Sequence, residues 1–242
     1  MIDSRKRSMT KAVIWKSLGI VILSLLTWFI TGSLHDMTLV AVSYHLFMSF
    51  IYFIHEQVWN SIKWGKTKGI FIQMTGLSGA GKSTLSEIVA TRLRKRGIKV
   101  EVIDGDRYRE NLCQDLGFSK EDRNTNIRRL GFVGKQLAKN NIVVIMAAIN
   151  PYEELRQEVK ENYSFVKTVF VKAELGVVED RDVKGLYKRA RLPDGHAEKI
   201  YNFTGVSDPF EAPDRPDLVI NTDKESVSKS VKKLEKFILE NI

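Results

Sequence analysis

The nine residues Gly76, Leu77, Ser78, Gly79, Ala80, Gly81, Lys82, Ser83 and Thr84 restrict what this chain can fold into more than any other stretch. They match G-x-x-x-x-G-K-[ST] at every fixed position, with "GIFIQMT" before them and "LSEIVATRLRKRG" after. That context reads as a buried strand, a tight turn and a helix. Glycines at these spacings let consecutive backbone N–H groups point inward at phosphate oxygens, and the helix N-terminus adds its partial positive charge. In such a loop Lys82 reaches the β- and γ-phosphates of ATP, and the Ser83 hydroxyl sits on Mg²⁺. A plain Gly/Ser turn is the rival reading, and the flanking strand and helix count against it. The motif alone says only that nucleoside triphosphate phosphates bind here.

From residue 69 onward the periodicity alternates between strand and helix. "IKVEVIDGD" reads as a second strand ending in two carboxylates. "SKEDRNTNIRRLGFVGKQLAKNN" opens on an S-x-x-D capping pattern, Ser119 to Asp122, and keeps Ile127, Leu130, Val133 or Gly134, and Leu137 on one helical stripe. "NIVVIMAAIN" is the most apolar strand and is expected at the centre of the sheet. Pro151 is expected at the first position of the following helix. "SFVKTVFVKA" and "PDLVINT" supply further strands, and Val227, Val231, Leu234 and Ile238 mark an amphipathic closing helix. Residues 69–242 therefore read as an α/β domain, a parallel sheet of the P-loop NTPase type with helices on both faces. Ligands of such sheets bind beyond the carboxyl ends of the strands.

The first 68 residues are a different material. Ser17–His35 and Met37–His55 each hold no Asp, Glu, Lys or Arg, and only Asp36 lies between them, beside the turn residues "TGS". About 19 residues make a helix of roughly 28 Å, close to the thickness of a hydrocarbon core. The pair reads as a two-helix transmembrane hairpin, with spans at about 17–35 and 37–55. Arg5, Lys6, Arg7, Lys11 and Lys16 precede the first span, and Lys63, Lys66 and Lys68 follow the second. The link between the spans holds no Lys or Arg, so the positive-inside rule places both ends of the hairpin in the cytoplasm. Trp15, Trp28, Trp59 and Trp64 lie near the span ends, where an interfacial belt belongs. The expected location is the inner or cytoplasmic membrane, multi-pass, with the N-terminus and the 69–242 domain on the cytoplasmic side. A soluble buried hairpin is the rival. His45 and His55 suggest a relay or a metal, but an interhelical hydrogen bond or an interfacial position is the simpler account.

Charge and cysteine content narrow the chemistry. The formal net charge of +9 suits anionic lipid, nucleic acid or phosphorylated small molecules. A single cysteine, Cys113, excludes an intrachain disulfide framework and any multi-cysteine metal site. Asp104 and Asp106, in "DGD", face the P-loop crevice; carboxylates there need either Mg²⁺ between them and the phosphates or a proton to accept from an attacking hydroxyl. Arg109, Phe118, Arg123, Asn126, Arg128 and Arg129 follow, with Arg123 and Asn126 on one helical face beside Ile127. Arginines for oxyanions and an aromatic to stack a base make a pocket for an anionic nucleotide; a solvated basic helix face is the rival. The run Asp180–Gly205 is basic, with the Gly and Pro content of a lid that closes over phosphates. A nucleic-acid-binding loop ranks lower, because no RNA module or DNA-binding helix accompanies it.

Residues 69–223 resemble adenylylsulfate kinases along nearly their whole length. The matching segments are "GLSGAGKST", "IDGDRYRENLCQDLGFSKEDRNTNIRR", "RDVKGLYKRAR", "NFTG" and "DPFEAPDRPDLVINT". The resemblance implies a homodimeric P-loop kinase that uses ATP and Mg²⁺ to phosphorylate the 3′-hydroxyl of adenosine 5′-phosphosulfate. It implies Asp106 as the residue that positions or deprotonates that hydroxyl, and Lys82 and Lys184 as catalytic cations, the latter on the lid. It also implies Arg109, Arg123, Asn126 and Ile127 as substrate ligands, and Phe118 and Phe203 as the pair that sandwiches the adenine. Three departures stand out. Asn150 and Glu153, in "INPYEELR", replace a serine and an arginine of the family's "ISPYR", so no phosphoserine forms and direct in-line transfer is expected. The lid carries an extra "LPDGHA", and the hairpin is an addition. "KRSMTKAVIWKSLG", "TWFITGS" and "HEQVW" resemble a small two-helix membrane domain found fused to other proteins. Two alternatives stay open: the same fold acting on another nucleotide such as a cytidine diphosphoramidate, and a nucleotide-gated membrane scaffold without catalysis. The intact Lys82, Ser83 and Asp106 argue against the second.

Overall fold

The computed structural model describes residues 5–61, 68–161 and 163–242. Lys63, Trp64 and Lys66 lie outside the described residues, as do the side chains of Arg5, Lys6, Arg7, Lys11 and Trp59. The chain divides into two compact units, Met1–Lys66 and Thr67–Ile242.

In the first unit, helices α1 (Arg5–Thr31) and α2 (Leu34–Ser61) are joined by Gly32 and Ser33 alone. Gly32 takes φ 66, and its N–H donates to Trp28 O at 2.7 Å. Ser33 Oγ accepts the Asp36 N–H at 3.3 Å, opening α2. The break falls at Gly32 and Ser33, within the turn residues "TGS" beside Asp36: a left-handed glycine ends the first helix at Thr31, and Asp36 lies in the first turn of α2. Hydroxyls fold back on their own helices, Thr27 Oγ1 to Leu23 O at 2.9 Å and Ser49 Oγ to His45 O at 2.7 Å. Between the helices, His45 Cε1 lies 3.7 Å from where a Cβ on Gly19 would be. The interhelical hydrogen bond expected of His45 is absent: its Nε2 is buried with no partner among the described residues, because the surface it meets is a glycine. The apolar windows Val13–Thr31 and Leu34–Val58 are each only 6% buried. Side chains such as Phe29, Leu46 and Phe53 point outward, unlike those of a core helix.

The second unit is built on five parallel strands in the order β2-β3-β1-β4-β5. They are β1 (Ile70–Thr75), β2 (Val100–Asp104), β3 (Val143–Ala147), β4 (Val166–Lys172) and β5 (Leu218–Asn221). The most apolar strand, β3, is interior as expected, paired with β1 and β2 and fully buried, while the middle strand is β1, whose sequence conceals its position. The reason is visible in Gln73. Buried in mid-strand, it donates through Nε2 to Thr168 Oγ1 and Arg156 O, both at 2.9 Å, so a polar residue sits in the core fully paired and hides the strand's burial from a hydropathy reading.

Helices cover both faces. On one, α3 (Lys82–Lys95) and α9 (Val227–Glu240) pack Leu85, Val89, Leu93, Val231, Leu234 and Ile238 against Ile70, Ile72 and Met74. On the other, α5 (Lys120–Lys139) and α6 (Glu153–Lys160) bring Ile127, Leu130, Leu155 and Val159 onto Phe71, Val144 and Met146. Ser119 caps α5 by accepting the Asp122 N–H at 3.1 Å, as the sequence pattern requires. Gly134 brings α5 so close to β1 that an added Cβ would lie 2.7 Å from Phe71 Cε2. Pro151 is not the first residue of α6. Tyr152 is the cap, in extended conformation, so the proline stands just outside the helix as part of the cavity wall described below. Shorter helices α4 (Gly105–Leu112), α7 (Leu175–Arg181) and α8 (Leu186–Ala190) lie at the carboxyl ends of the strands.

Candidate active site

The turn after β1 is set by backbone geometry. Gly76 has φ 149, and a Cβ there would lie 2.2 Å from Val171 O, so no other residue fits. Gly81, at φ 97, precedes α3 as its N-cap. Lys82 is 8% exposed and donates through Nζ to Gly76 O and Leu77 O, both at 2.7 Å. Burial lowers its pKa from 10.5 to about 8; Asp106 and Asp104 pull it back up and Lys184 pushes it further down. Behind the loop, Arg181 Nη2 donates to Thr222 O at 2.8 Å and Thr222 Oγ1 donates to Ala80 O at 2.9 Å, which pins the turn from outside.

The end of β2 is joined to this loop by one short contact. Ser83 Oγ donates to Asp104 Oδ2 at 2.6 Å. The other oxygen of Asp104 accepts the N–H groups of Asp106 and Arg107, at 3.0 and 3.2 Å, and so caps α4. A serine hydroxyl and a carboxylate side by side at the P-loop are hard oxygen donors of the kind Mg²⁺ takes, which needs few protein ligands when phosphates and waters supply the rest. No group of three or more His, Cys, Asp or Glu is placed to hold a metal among the described residues.

A cavity of about 760 Å³ opens over these groups. Of the motif, Ser78, Gly79, Gly81, Lys82, Ser83 and Thr84 reach its wall; Gly76, Leu77 and Ala80 do not, since the last two are packed into the core. Every residue expected to meet the acceptor does line it: Asp106, Arg109, Phe118, Arg123, Asn126, Ile127, Lys184 and Phe203. Asp106 and Lys184 form an ion pair across it, and that hydrogen bond raises the pKa of the lysine. Phe118 is 61% exposed and lies 4.5 Å from the Arg109 guanidinium carbon, face on. Phe203 is 7% exposed and wedged edge-on against Tyr187, ring centroids 5.0 Å apart. The Tyr187 hydroxyl donates to Ser78 O at 3.0 Å, tying that ring to the phosphate loop.

The arginines do something that spacing did not disclose. Arg109 Nη1 donates to Gly117 O at 2.6 Å and Leu116 O at 3.2 Å. Arg123 donates to Phe118 O at 3.0 Å through Nε, and through its two Nη atoms to Thr204 Oγ1 and Asn202 O. Arg123 thus joins the Phe118 wall to the Phe203 wall. Asn126, on the cavity wall, has its Oδ1 buried with no hydrogen-bond partner among the described residues, an acceptor left open beside the cavity.

Asn150 and Glu153 stand behind the wall, not in it. Asn150 is 1% exposed at φ 45, its Nδ2 donating to Gln73 Oε1 at 3.2 Å and its carbonyl accepting from Arg156 Nη1 at 2.7 Å. Glu153 pairs with the buried Arg156 at 2.6 Å. Other wall residues were given no role: Tyr187 and Arg189 lie within the matching segment "RDVKGLYKRAR", and Tyr201, just before "NFTG", is an isolated aromatic in a basic run.

Residues 68–221 match the family model described as Adenylylsulphate kinase, and residues 9–60 match the one described as Predicted membrane protein (DUF2061). A protein of Microcystis aeruginosa described as Adenylyl-sulfate kinase is 49% identical over 169 residues, 70% of this chain and 91% of that one. Among solved structures, the APS kinase of Mycobacterium tuberculosis in complex with AMPPNP and APS superposes with a TM-score of 0.66 at 36% identity, covering 72% of this chain and 99% of that one. The hexameric APS kinase of Thiobacillus denitrificans gives a TM-score of 0.52 at 30% identity, covering 72% of this chain and 29% of that one.

Proposed function

The chain belongs to the adenylylsulphate kinase family, and on that premise we propose that its cavity transfers the γ-phosphoryl group of ATP to the 3′-hydroxyl of adenosine 5′-phosphosulfate. The observation that carries this is the meeting of Lys82, the Asp106–Lys184 pair and the rings of Phe118 and Phe203 in one cavity. The P-loop residues 76–84 hold the triphosphate, with Lys82 giving up its own loop carbonyls for the β- and γ-oxygens. Phe118 and Phe203 flank the acceptor's adenine. Arg109, Arg123, Asn126 and Ile127 receive its ribose and phosphosulfate. Asp106 accepts the proton of the 3′-hydroxyl as its oxygen attacks phosphorus in line and ADP leaves. Lys184 now holds the carboxylate that must take this proton. Moving the lysine onto the phosphates frees Asp106 and brings a cation to the developing charge in one motion. Ser83 and Asp104 would hold Mg²⁺, which supplies charge neutralisation at the phosphate oxygens.

Asn150 and Glu153 give no ground for a different acceptor, since neither reaches the cavity wall. A panel of adenine and cytosine nucleotides, with products weighed by mass spectrometry, tests the assignment: adenosine 5′-phosphosulfate gains one phosphate far faster than any cytidine compound. Equal rates on both overturn it.

The first unit we assign as a two-pass anchor with both ends cytoplasmic, in the inner or cytoplasmic membrane. Its support is the outward apolar surface of α1 and α2, the basic residues beyond them, and the membrane-protein family match. Assembly into at least a homodimer belongs to the same proposal, supported by the resemblance and by the hexameric relative; light scattering of the detergent-solubilised protein tests it.

A further inference from the structure

Between α8 and Phe203 the chain runs through a loop, residues 192–201, to which the transfer chemistry assigns no task. It is heavily braced. His196 N–H donates to Pro193 O at 3.2 Å and Lys199 N–H to His196 O at 3.0 Å. The loop is also tied to the end of α8: Ile200 N–H donates to Arg189 O at 3.3 Å, and Arg189 Nε to Glu198 O at 3.2 Å.

Two further contacts meet at one ring. Gly195, at the tip with φ 86, donates its N–H to the Tyr201 hydroxyl at 3.2 Å. Lys199 pairs with Asp194 and keeps its Nζ 5.4 Å from the centroid of the Tyr201 ring, with its own side chain only 16% exposed. Tyr201 is 53% exposed and lines the cavity that holds Phe118 and Phe203. A tyrosine held at its hydroxyl has the axis of its ring set in advance, and the Lys199 ammonium lies over one face, so less side-chain freedom is lost when something flat packs on it. The backbone between Tyr201 and Phe203 is fixed as well, because Asn202 sits at φ 55 with its carbonyl held by Arg123.

We propose that residues 192–201 form a selectivity loop of the acceptor site, holding the Tyr201 ring as an added aromatic surface against the nucleotide that receives the phosphoryl group; this rests on the function proposed above. The acceptor is the relevant nucleotide because Arg123 ties the chain beside Tyr201 directly to the Phe118 carbonyl, whereas the phosphate loop is held by Tyr187, Arg181 and Thr222, all outside residues 192–203.

Steady-state kinetics of the full-length protein, varying each substrate in turn, decide it. Tyr201→Ala raises KM for adenosine 5′-phosphosulfate about tenfold, the scale of one lost base–aromatic contact. KM for ATP stays put, and kcat moves much less than KM. Tyr201→Phe keeps the ring but loses the Gly195 brace, and raises the same KM about threefold, the scale of one modest hydrogen bond. An active wild type whose acceptor KM is unchanged in Tyr201→Ala, or whose two KM values rise together, overturns the inference alone. A wild type inert toward adenosine 5′-phosphosulfate overturns the function it rests on, and the inference with it.

Discussion

Lys82 is buried, and its amine is held by two carbonyls of its own loop with a pKa near 8. The shift has a sign that can be measured. Asp106, Asp104 and Lys184 are the charged groups that act on the amine in this arrangement, and desolvation outweighs the two carboxylates. At pH 8.5 the amine is mostly neutral, and an arriving triphosphate raises its pKa and draws a proton in. Binding of a non-hydrolysable ATP analogue at that pH therefore takes up roughly half a proton or more per site, read by calorimetry in buffers of different ionisation enthalpy. Lys82→Met abolishes the uptake. The same shift makes the charged amine a burden on the fold below pH 8, relieved as pH climbs toward 10.5. Asp106 gives a second residue-scale test. Asp106→Asn keeps a hydrogen-bonding shape but cannot accept the proton, so kcat falls by about 100-fold or more while ATP affinity changes little. A fall in ATP affinity with kcat preserved instead makes Asp106 a binding residue.

Elements meet where side chains are missing. Gly134 lies on the stripe of α5 that faces the sheet, and Phe71 below it is fully buried. Two effects compete in Gly134→Ala: alanine gains about 1 kcal/mol of helix propensity, and a methyl 2.7 Å from a ring carbon that has nowhere to turn costs about 1–3 kcal/mol. The clash wins. The urea midpoint drops with an unchanged m-value. This contact also shows how far a sequence can be read. The stripe Ile127, Leu130 and Leu137 was legible because a 3.6-residue period is a local signal, and the Ser119 cap for the same reason. Phe118, Arg123 and Phe203 were legible as a set through contiguous family segments. The centrality of β1 was not, because Gln73 hides inside it. Nor was the posture of Asn150, whose place behind the wall follows from a left-handed backbone and the buried Arg156. Tyr201 lay beyond reach for a simpler reason: one aromatic in a basic loop has no period and no motif, and only the folded loop reveals what holds it.

At the scale of the molecule, two units of opposite surface share one chain. The Thr67–Ile242 unit owns both core clusters and the whole cavity. A chain beginning at Thr67 therefore keeps kcat/KM for both substrates within about twofold, since a domain with its own core folds alone. The same truncation removes the flotation with phospholipid vesicles in a density gradient that follows for the full chain from the proposed anchor. Loss of turnover with the hairpin overturns the separation of tasks. The hairpin itself turns on Gly32 and Ser33 alone. With both ends cytoplasmic, as proposed above, so small a reversal would leave the outer leaflet almost nothing to display: an impermeant label or a protease added to intact cells would pass this protein by, and an epitope tag meant to be seen from outside would have only the three peptide bonds around Gly32 and Ser33 where it could be spliced.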